Sequence, residues 1–193
     1  MKKLKLILIG LFLISQGLKA QMAEVDGNLV SAGFGFGFGW VHTQSDEAPR
    51  FPSFYARYER GVLEVGGVGI LTVGGQLGVH TRSHGRRFSA DPVEDITQES
   101  WTKLYLFPTV VLTFQDVFNG LPSEMELYFG LGAGVMLDVH TQRTWQTTDF
   151  NNDFGFGYNV FLGVRYALTR NLGAFAEFGW GTSVINVGVT ISL

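Results

Sequence analysis

From residue 28 onward the chain changes character with every residue. In residues 29–42 the even positions carry Val30, Ala32, Phe34, Phe36, Phe38 and Trp40, and the odd positions carry Ser31, Gly33, Gly35, Gly37 and Gly39. A period of two sends successive side chains to opposite faces of a strand, whereas a helical face repeats near 3.6. A helix would also lose about 1 kcal/mol at each of those glycines relative to alanine. The segment therefore predicts a strand with one bulky face and one slender face.

The same reading recurs along the chain and predicts strands near 53–60, 70–82, 101–114, 126–140, 154–168, 172–181 and 184–193. Near 126–140, Leu127, Phe129, Leu131, Val135, Leu137 and Val139 oppose Tyr128, Gly130, Gly132, Gly134 and Asp138. Near 184–193, Ile185, Val187, Val189, Ile191 and Leu193 oppose Asn186, Gly188, Thr190 and Ser192. Pro108 falls inside the fourth strand, where it has no N–H for the ladder, so a bulge or a local defect is expected there. Residues 43–52, 83–99 and 141–153 are long and polar and predict loops, whereas 60–69, 115–125 and 169–171 are mostly shorter or rich in Gly and Pro. The last connection, near Thr182-Ser183, is very short.

The contrast between the two faces decides the architecture. A soluble sandwich turns its apolar face inward and shows Lys, Glu and Thr to water. Here the second face is mostly glycine with a few charges, which suits the crowded interior of a small barrel, and the bulky face suits acyl chains. In lipid every backbone polar group must pair within the protein, so such a sheet must close. The expected fold is all-β: an eight-stranded antiparallel up-and-down transmembrane β-barrel, with the even strand number of bacterial single-chain barrels. Trp40, Trp101, Trp145 and Trp180 then fall on or near one rim, and Tyr58 and Tyr166 at the other, as aromatic girdles would.

Composition adds the route. Lys2, Lys3 and Lys5 precede the apolar residues 6–14, and Ala20 offers a small residue before a cut. That order matches a secretory signal peptide, too short for a helix that needs about 20 apolar residues to span. Residues 1–20 are therefore expected to be a leader, and 21–193 the barrel domain, which is exported through the periplasm to the outer membrane. Four of the 14 basic residues (Lys2, Lys3, Lys5, Lys19) lie in the leader and all 17 acids follow it, leaving ten against 17 and a net charge of −7. That balance argues against a nucleic-acid partner. The absence of cysteine weakens disulfide, thiolate-zinc and redox readings, and no cofactor is expected.

Gly163-Val164-Arg165-Tyr166, then residues 171–181 (NLGAFAEFGWG), then Asn186-Val187-Gly188-Val189-Thr190-Ile191-Ser192-Leu193 resemble the last three strands of small OmpA/OmpX-like outer-membrane β-barrel domains. Tyr58-Glu59-Arg60-Gly61 resembles the close of their second strand. Asn186, Gly188, Ile191 and Leu193 resemble the terminal signal read by the outer-membrane assembly machinery, although Leu193 stands where an aromatic residue is usual. The resemblance implies that machinery and outer-membrane lipid as partners.

Arg57, Glu59, Lys103, Arg165 and Glu177 all project from the glycine-bearing faces. In an OmpA-like barrel such charges pair inside and plug the lumen. They could gate it, but a fixed network is the favoured reading, because an unpaired buried charge is costly. Val41-His42-Thr43, Val79-His80-Thr81 and Val139-His140-Thr141 repeat a tripeptide at one rim. Alternation points His80 and His140 inward and His42 outward, which leaves their convergence open, and no metal site is assigned. Some eight-stranded barrels of the outer membrane modify lipid A with His and Ser or Asp at the outer rim. No His-x-Ser occurs here, and although His42, Ser45 and Asp46, like His84, Ser89 and Asp91, fall near one rim, proximity in sequence sets no hydrogen-bond geometry, and no catalytic residue is assigned. Asp91, Glu94, Asp95 and Glu99 beside Arg86-Arg87 read as a solvated loop or as a contact for a partner or cation. The expectation is a monomeric, largely filled barrel with a structural or surface-interaction role. The alternatives are a narrow pore and, behind it, a lipid A-modifying enzyme.

Overall fold

The computed structural model describes residues 22–36, 52–87, 96–114, 122–143 and 148–193. Eight strands follow one another: β1 (Asn28–Phe36), β2 (Ser53–Val65), β3 (Gly69–Arg87), β4 (Ile96–Phe114), β5 (Met125–Arg143), β6 (Thr148–Ala167), β7 (Leu172–Trp180) and β8 (Ile185–Ser192). Each pairs antiparallel with the next, and β8 pairs back onto β1 from Leu29↔Ser192 to Phe36↔Ile185, so the ring closes. Closure gives every strand a partner on both sides, although β3 beyond Val79 and β6 before Val160 continue with a partner on one side alone among the described residues. The fold is an eight-stranded antiparallel up-and-down β-barrel.

Alternation survives throughout. In β2 Ser53, Tyr55, Arg57, Glu59 and Gly61 are buried while Phe54, Ala56, Tyr58 and Arg60 are exposed. Outside, Leu77 is 58% exposed, Leu162 54% and Phe178 66%. Inside, Tyr55, Tyr105, Phe107 and Phe175 form one cluster with Met136 against it, and Val111, Tyr128 and Phe161 form another. Met22, Ala23, Leu29 and Ala167 close the end where β1 begins and β8 ends. We call this the turn end. The β2–β3 turn also lies there, with Gly66 and Gly67 at φ 49° and 71°, a left-handed conformation that glycine adopts without a Cβ clash.

Pro108 causes a gap and not a bulge. It stays in register with Gly75 of β3, while the β4–β5 pairing passes from Leu106↔Val135 to Thr109↔Gly132 with no shift. The missing N–H interrupts the ladder locally. The bulge lies elsewhere, between β2 and β3 at Gly61/Leu63.

Two of the expected loops prove to be partly strand. Residues 83–87 and 96–99 continue β3 and β4, and residues 141–143 and 148–153 belong to β5 and β6, paired as far as Arg143↔Thr148. Their polarity does not mark a loss of pairing, because polar side chains do not prevent a ladder from continuing. Residues 1–20, His42, Ser45, Asp46, Ser89, Asp91, Glu94, Asp95, Trp40 and Trp145 lie outside the described residues. Trp180 is exposed at the end of β7, as a girdle would have it. Trp101 is not so placed: it shares the inward face of β4 with Lys103 and Tyr105 and stacks on His140 at 4.9 Å.

The slender face is sized to its neighbours. A Cβ on Gly130 would overlap the Phe161 ring, and one on Gly163 the Tyr128 ring, whereas at Gly155 the nearest atom, Met136 Cε, is 3.9 Å away. Gly130→Val is expected to lower the unfolding free energy by about 1–3 kcal/mol, the usual range for overpacking. Gly155→Ala should stay within about 0.5 kcal/mol of the parent. Urea unfolding of the folded protein in detergent checks both.

Candidate functional site in the barrel interior

Residues on β2, β5, β6 and β7 meet inside the barrel because each sits on the inward phase of its strand. Arg57 and Glu59 are two apart on β2 and therefore share a face. Arg57 Nε donates to Glu59 Oε1 at 2.7 Å, and its Nη2 donates to Glu177 Oε1 across the lumen. Arg165 Nη2 lies 3.7 Å from Glu59 Oε1, and Arg165 Nη1 donates to Glu126 Oε2 at 3.1 Å. The chain of pairs therefore runs Glu177–Arg57–Glu59–Arg165–Glu126, from mid-lumen to the turn end.

All five side chains are buried, with Arg57 1% exposed and Arg165 and Glu59 at 0%. Buried charge is costly unless paired and hydrogen-bonded; here the carboxylates are met, while Arg57 Nη1, Arg165 Nε and Arg165 Nη2 make no hydrogen bond among the described residues. Thr72 Oγ1 donates to Glu59 Oε2 at 3.0 Å, Tyr55 OH to Glu177 Oε2 at 2.7 Å, and Tyr128 OH to Glu177 Oε1 at 2.9 Å. The backbone N–H groups of Met22 and Ala23 donate to Glu126 Oε1 at 2.7 and 3.1 Å. Every oxygen of the three carboxylates thus accepts at least one bond. The guanidinium groups meet ring faces as well: Arg57 stands 4.5 Å from the Phe161 centroid and Arg165 4.8 Å from that of Tyr128. Such contacts favour a desolvated cation. Asn159 Nδ2 donates to Gln76 Oε1 at 3.3 Å, a further cross-lumen contact.

Of the five charges singled out in the sequence, Arg57, Glu59, Arg165 and Glu177 come together. Lys103 stands apart, partly exposed, with its Nζ 3.2 Å from Asp138 Oδ1 on the neighbouring strand. Glu126, Tyr55, Tyr128 and Thr72 were missed as members. Their inward phase was readable; Glu126 stands opposite Arg165 in the β5–β6 pair and Thr72 lies on the strand beside Glu59, whereas the contacts of Tyr55 and Tyr128 with Glu177 cross the lumen and depend on ring closure, which no local pattern encodes. His80 lies opposite Lys103, and His140 opposite Trp101, with β4 between the two histidines. Among the described residues no group of three His, Cys, Asp or Glu could hold a metal ion. On β8, Asn186 is buried and hydrogen-bonds Ser183, Gly188 lies on the same inward face, and Ile191 is exposed, as is Leu193 just beyond the strand.

No protein-family model and no curated protein matches the chain. Among solved structures it is similar to the N-terminal β-barrel domain of Pseudomonas aeruginosa OprF, with 13% identity, a TM-score of 0.46, and coverage of 88% of this chain and 98% of that one. It is also similar to Neisserial surface protein A, with 14% identity, a TM-score of 0.43, and coverage of 86% and 95%. The attachment invasion locus protein Ail of Yersinia pestis is a third, with 11% identity, a TM-score of 0.41, and coverage of 86% and 93%. The assignment of eight strands in a closed ring rests on the pairing of this chain's own strands.

Removing one member of the buried pairs leaves its partner charged and desolvated. Glu177→Ala is expected to cost about 3–5 kcal/mol of folding stability. The double variant Arg57→Met/Glu177→Ala should cost clearly less than the sum of the two single changes. Equilibrium unfolding of the four proteins in one detergent measures the coupling.

Proposed function

We propose that this chain is an integral outer-membrane β-barrel, filled rather than open, with a structural or surface-contact role and no catalytic one. One observation carries the reading: the polarity of a soluble protein is inverted. Large apolar side chains such as Leu77, Leu106, Leu131, Leu162 and Ile185 stand exposed around the ring, while Arg57, Glu59 and Arg165 are fully enclosed. Monomeric soluble proteins rarely expose contiguous apolar surface beyond a few hundred Å². Acyl chains are a surrounding in which that belt is stable, and the closed ring meets their demand that no backbone group go unpaired.

Export through the periplasm with loss of residues 1–20 supplies the route. Asn186, Gly188, Ile191 and Leu193 are offered as the segment read by the assembly machinery. Filling follows from size: eight strands enclose a space that side chains occupy, and here Tyr55, Tyr105, Phe107, Phe161 and Phe175 occupy it together with the ion pairs. The surface-contact role rests on the strands β3 to β6, each 19 or 20 residues long, where about 9–11 tilted residues span a bilayer. Their surplus length is polar and continues the paired strands beyond the belt. The barrel acts as a monomer, its ring complete without a second copy.

Leu77→Arg places a charge on the belt and is expected to cost about 2–4 kcal/mol of stability in lipid if Leu77 lies near the midplane. Urea unfolding in liposomes checks this, and an unchanged stability would contradict the lipid-facing belt. In planar bilayers the unaltered protein should give no steady openings. A stable unitary conductance would replace the filled reading with a narrow pore.

A further inference from the structure

Residues 22–27, just before β1, lie against the barrel. Met22 and Ala23 are each 1% exposed and pack with Leu29 of β1 and Ala167 of β6. A tight turn then brings the chain up into β1: Gly27 N donates to Glu24 O at 3.1 Å, and Asp26 takes a φ of 63°. Asp26 N donates to Gly61 O and Gly61 N to Gly27 O, both at 3.0 Å, which fastens the turn to β2.

Two glycines make room for this segment. A Cβ on Gly61 would overlap the carbonyl of Glu24, and one on Gly173 of β7 would stand 2.5 Å from Met22 Sδ. The segment therefore touches inward-facing positions of β1, β2, β5, β6 and β7, most of the way around the ring. The fifth contact is polar: Glu126 Oε1 accepts both the Met22 and the Ala23 backbone N–H, while Oε2 accepts from Arg165. A carboxylate accepting two backbone N–H groups forms charge-assisted bonds, roughly twice as strong as neutral ones. None of this is required by the ladder, which is complete without residues 22–24.

We propose that residues 22–24 are a strap bound in the turn-end mouth of the barrel, with the Glu126 carboxylate as its receptor and the Gly61 and Gly173 positions as its seat. Glu126 then has two tasks. It holds the floor of the lumen, and through Arg165 it joins that floor to the ion pairs higher up. The proposal deepens the filled-barrel reading by naming what closes one end.

The test is amide hydrogen exchange by NMR on the ¹⁵N-labelled protein purified from membranes into detergent micelles. The Met22 and Ala23 amides should exchange at least roughly tenfold more slowly than those of an unstructured segment. Glu126→Ala and Gly173→Val, one removing the acceptor and the other obstructing the seat, should each abolish that protection. Strand amides such as those of Val111 and Phe161 should stay protected, and heat-shifted gel migration should confirm a closed barrel. Free exchange of Met22 and Ala23 in the unaltered protein overturns the strap, as does protection that survives either substitution in a closed barrel. Conductance separates this inference from the reading it rests on. Steady openings with protected amides would remove the filled lumen and keep the strap, and a silent barrel with freely exchanging amides would do the reverse.

Discussion

A one-residue slip between neighbouring strands of this barrel would carry Arg57, Glu59, Arg165 or Glu177 from the interior to the apolar outside. Side chains alternate with a period of two, so register and sidedness are one constraint. Each charged residue pairs with a residue on another strand, and the apolar belt punishes any charge turned outward. The ring holds a constant register between neighbours, except at the Gly61/Leu63 bulge. That bulge lies on the turn-end side of Glu59, where it disturbs none of the ion pairs.

The interior then follows a gradient along the barrel. At the turn end the Met22–Ala23 backbone meets Glu126. In the middle Arg57 bridges Glu59 and Glu177 against aromatic rings. Further out Lys103 pairs with Asp138, and Trp101 stacks on His140, both partly exposed. The deeply buried cations have the most partners: Arg57 and Arg165 each meet two carboxylates, as the cost of an uncompensated buried charge demands. Glycine makes this packing feasible: Gly130 and Gly163 leave space that the rings of Phe161 and Tyr128 fill. Bulk on one strand is matched by its absence on the neighbour.

Much of this is legible in the sequence alone. Strand number, order and the face of nearly every residue came from the alternation, because a sheet that separates two unlike media writes its sidedness into each residue. Arg57 and Glu59 were readable as neighbours because both lie on one strand at positions i and i+2. The contact between Arg57 and Glu177 was not, since it needs β7 to come round opposite β2. Glu126 was hidden for a related reason: its partners at Met22 and Ala23 belong to a segment with no periodicity of its own. Strand ends were misjudged at 141–153, where polar residues that look like a loop remain paired. Trp101 was assigned to a girdle on residue type, although its phase placed it with Lys103 and Tyr105.

The central claim is that the bulky face meets acyl chains and the slender face encloses a dry, charged core. Magnetisation transfer from lipid acyl protons to methyl-labelled protein in nanodiscs addresses it directly. The account predicts cross-peaks to the methyls of Leu77, Leu106, Leu131 and Leu162 and none to those of Leu29 and Val111. Lipid contacts at Leu29 and Val111, or water contacts along the Leu77–Leu162 belt, would contradict it.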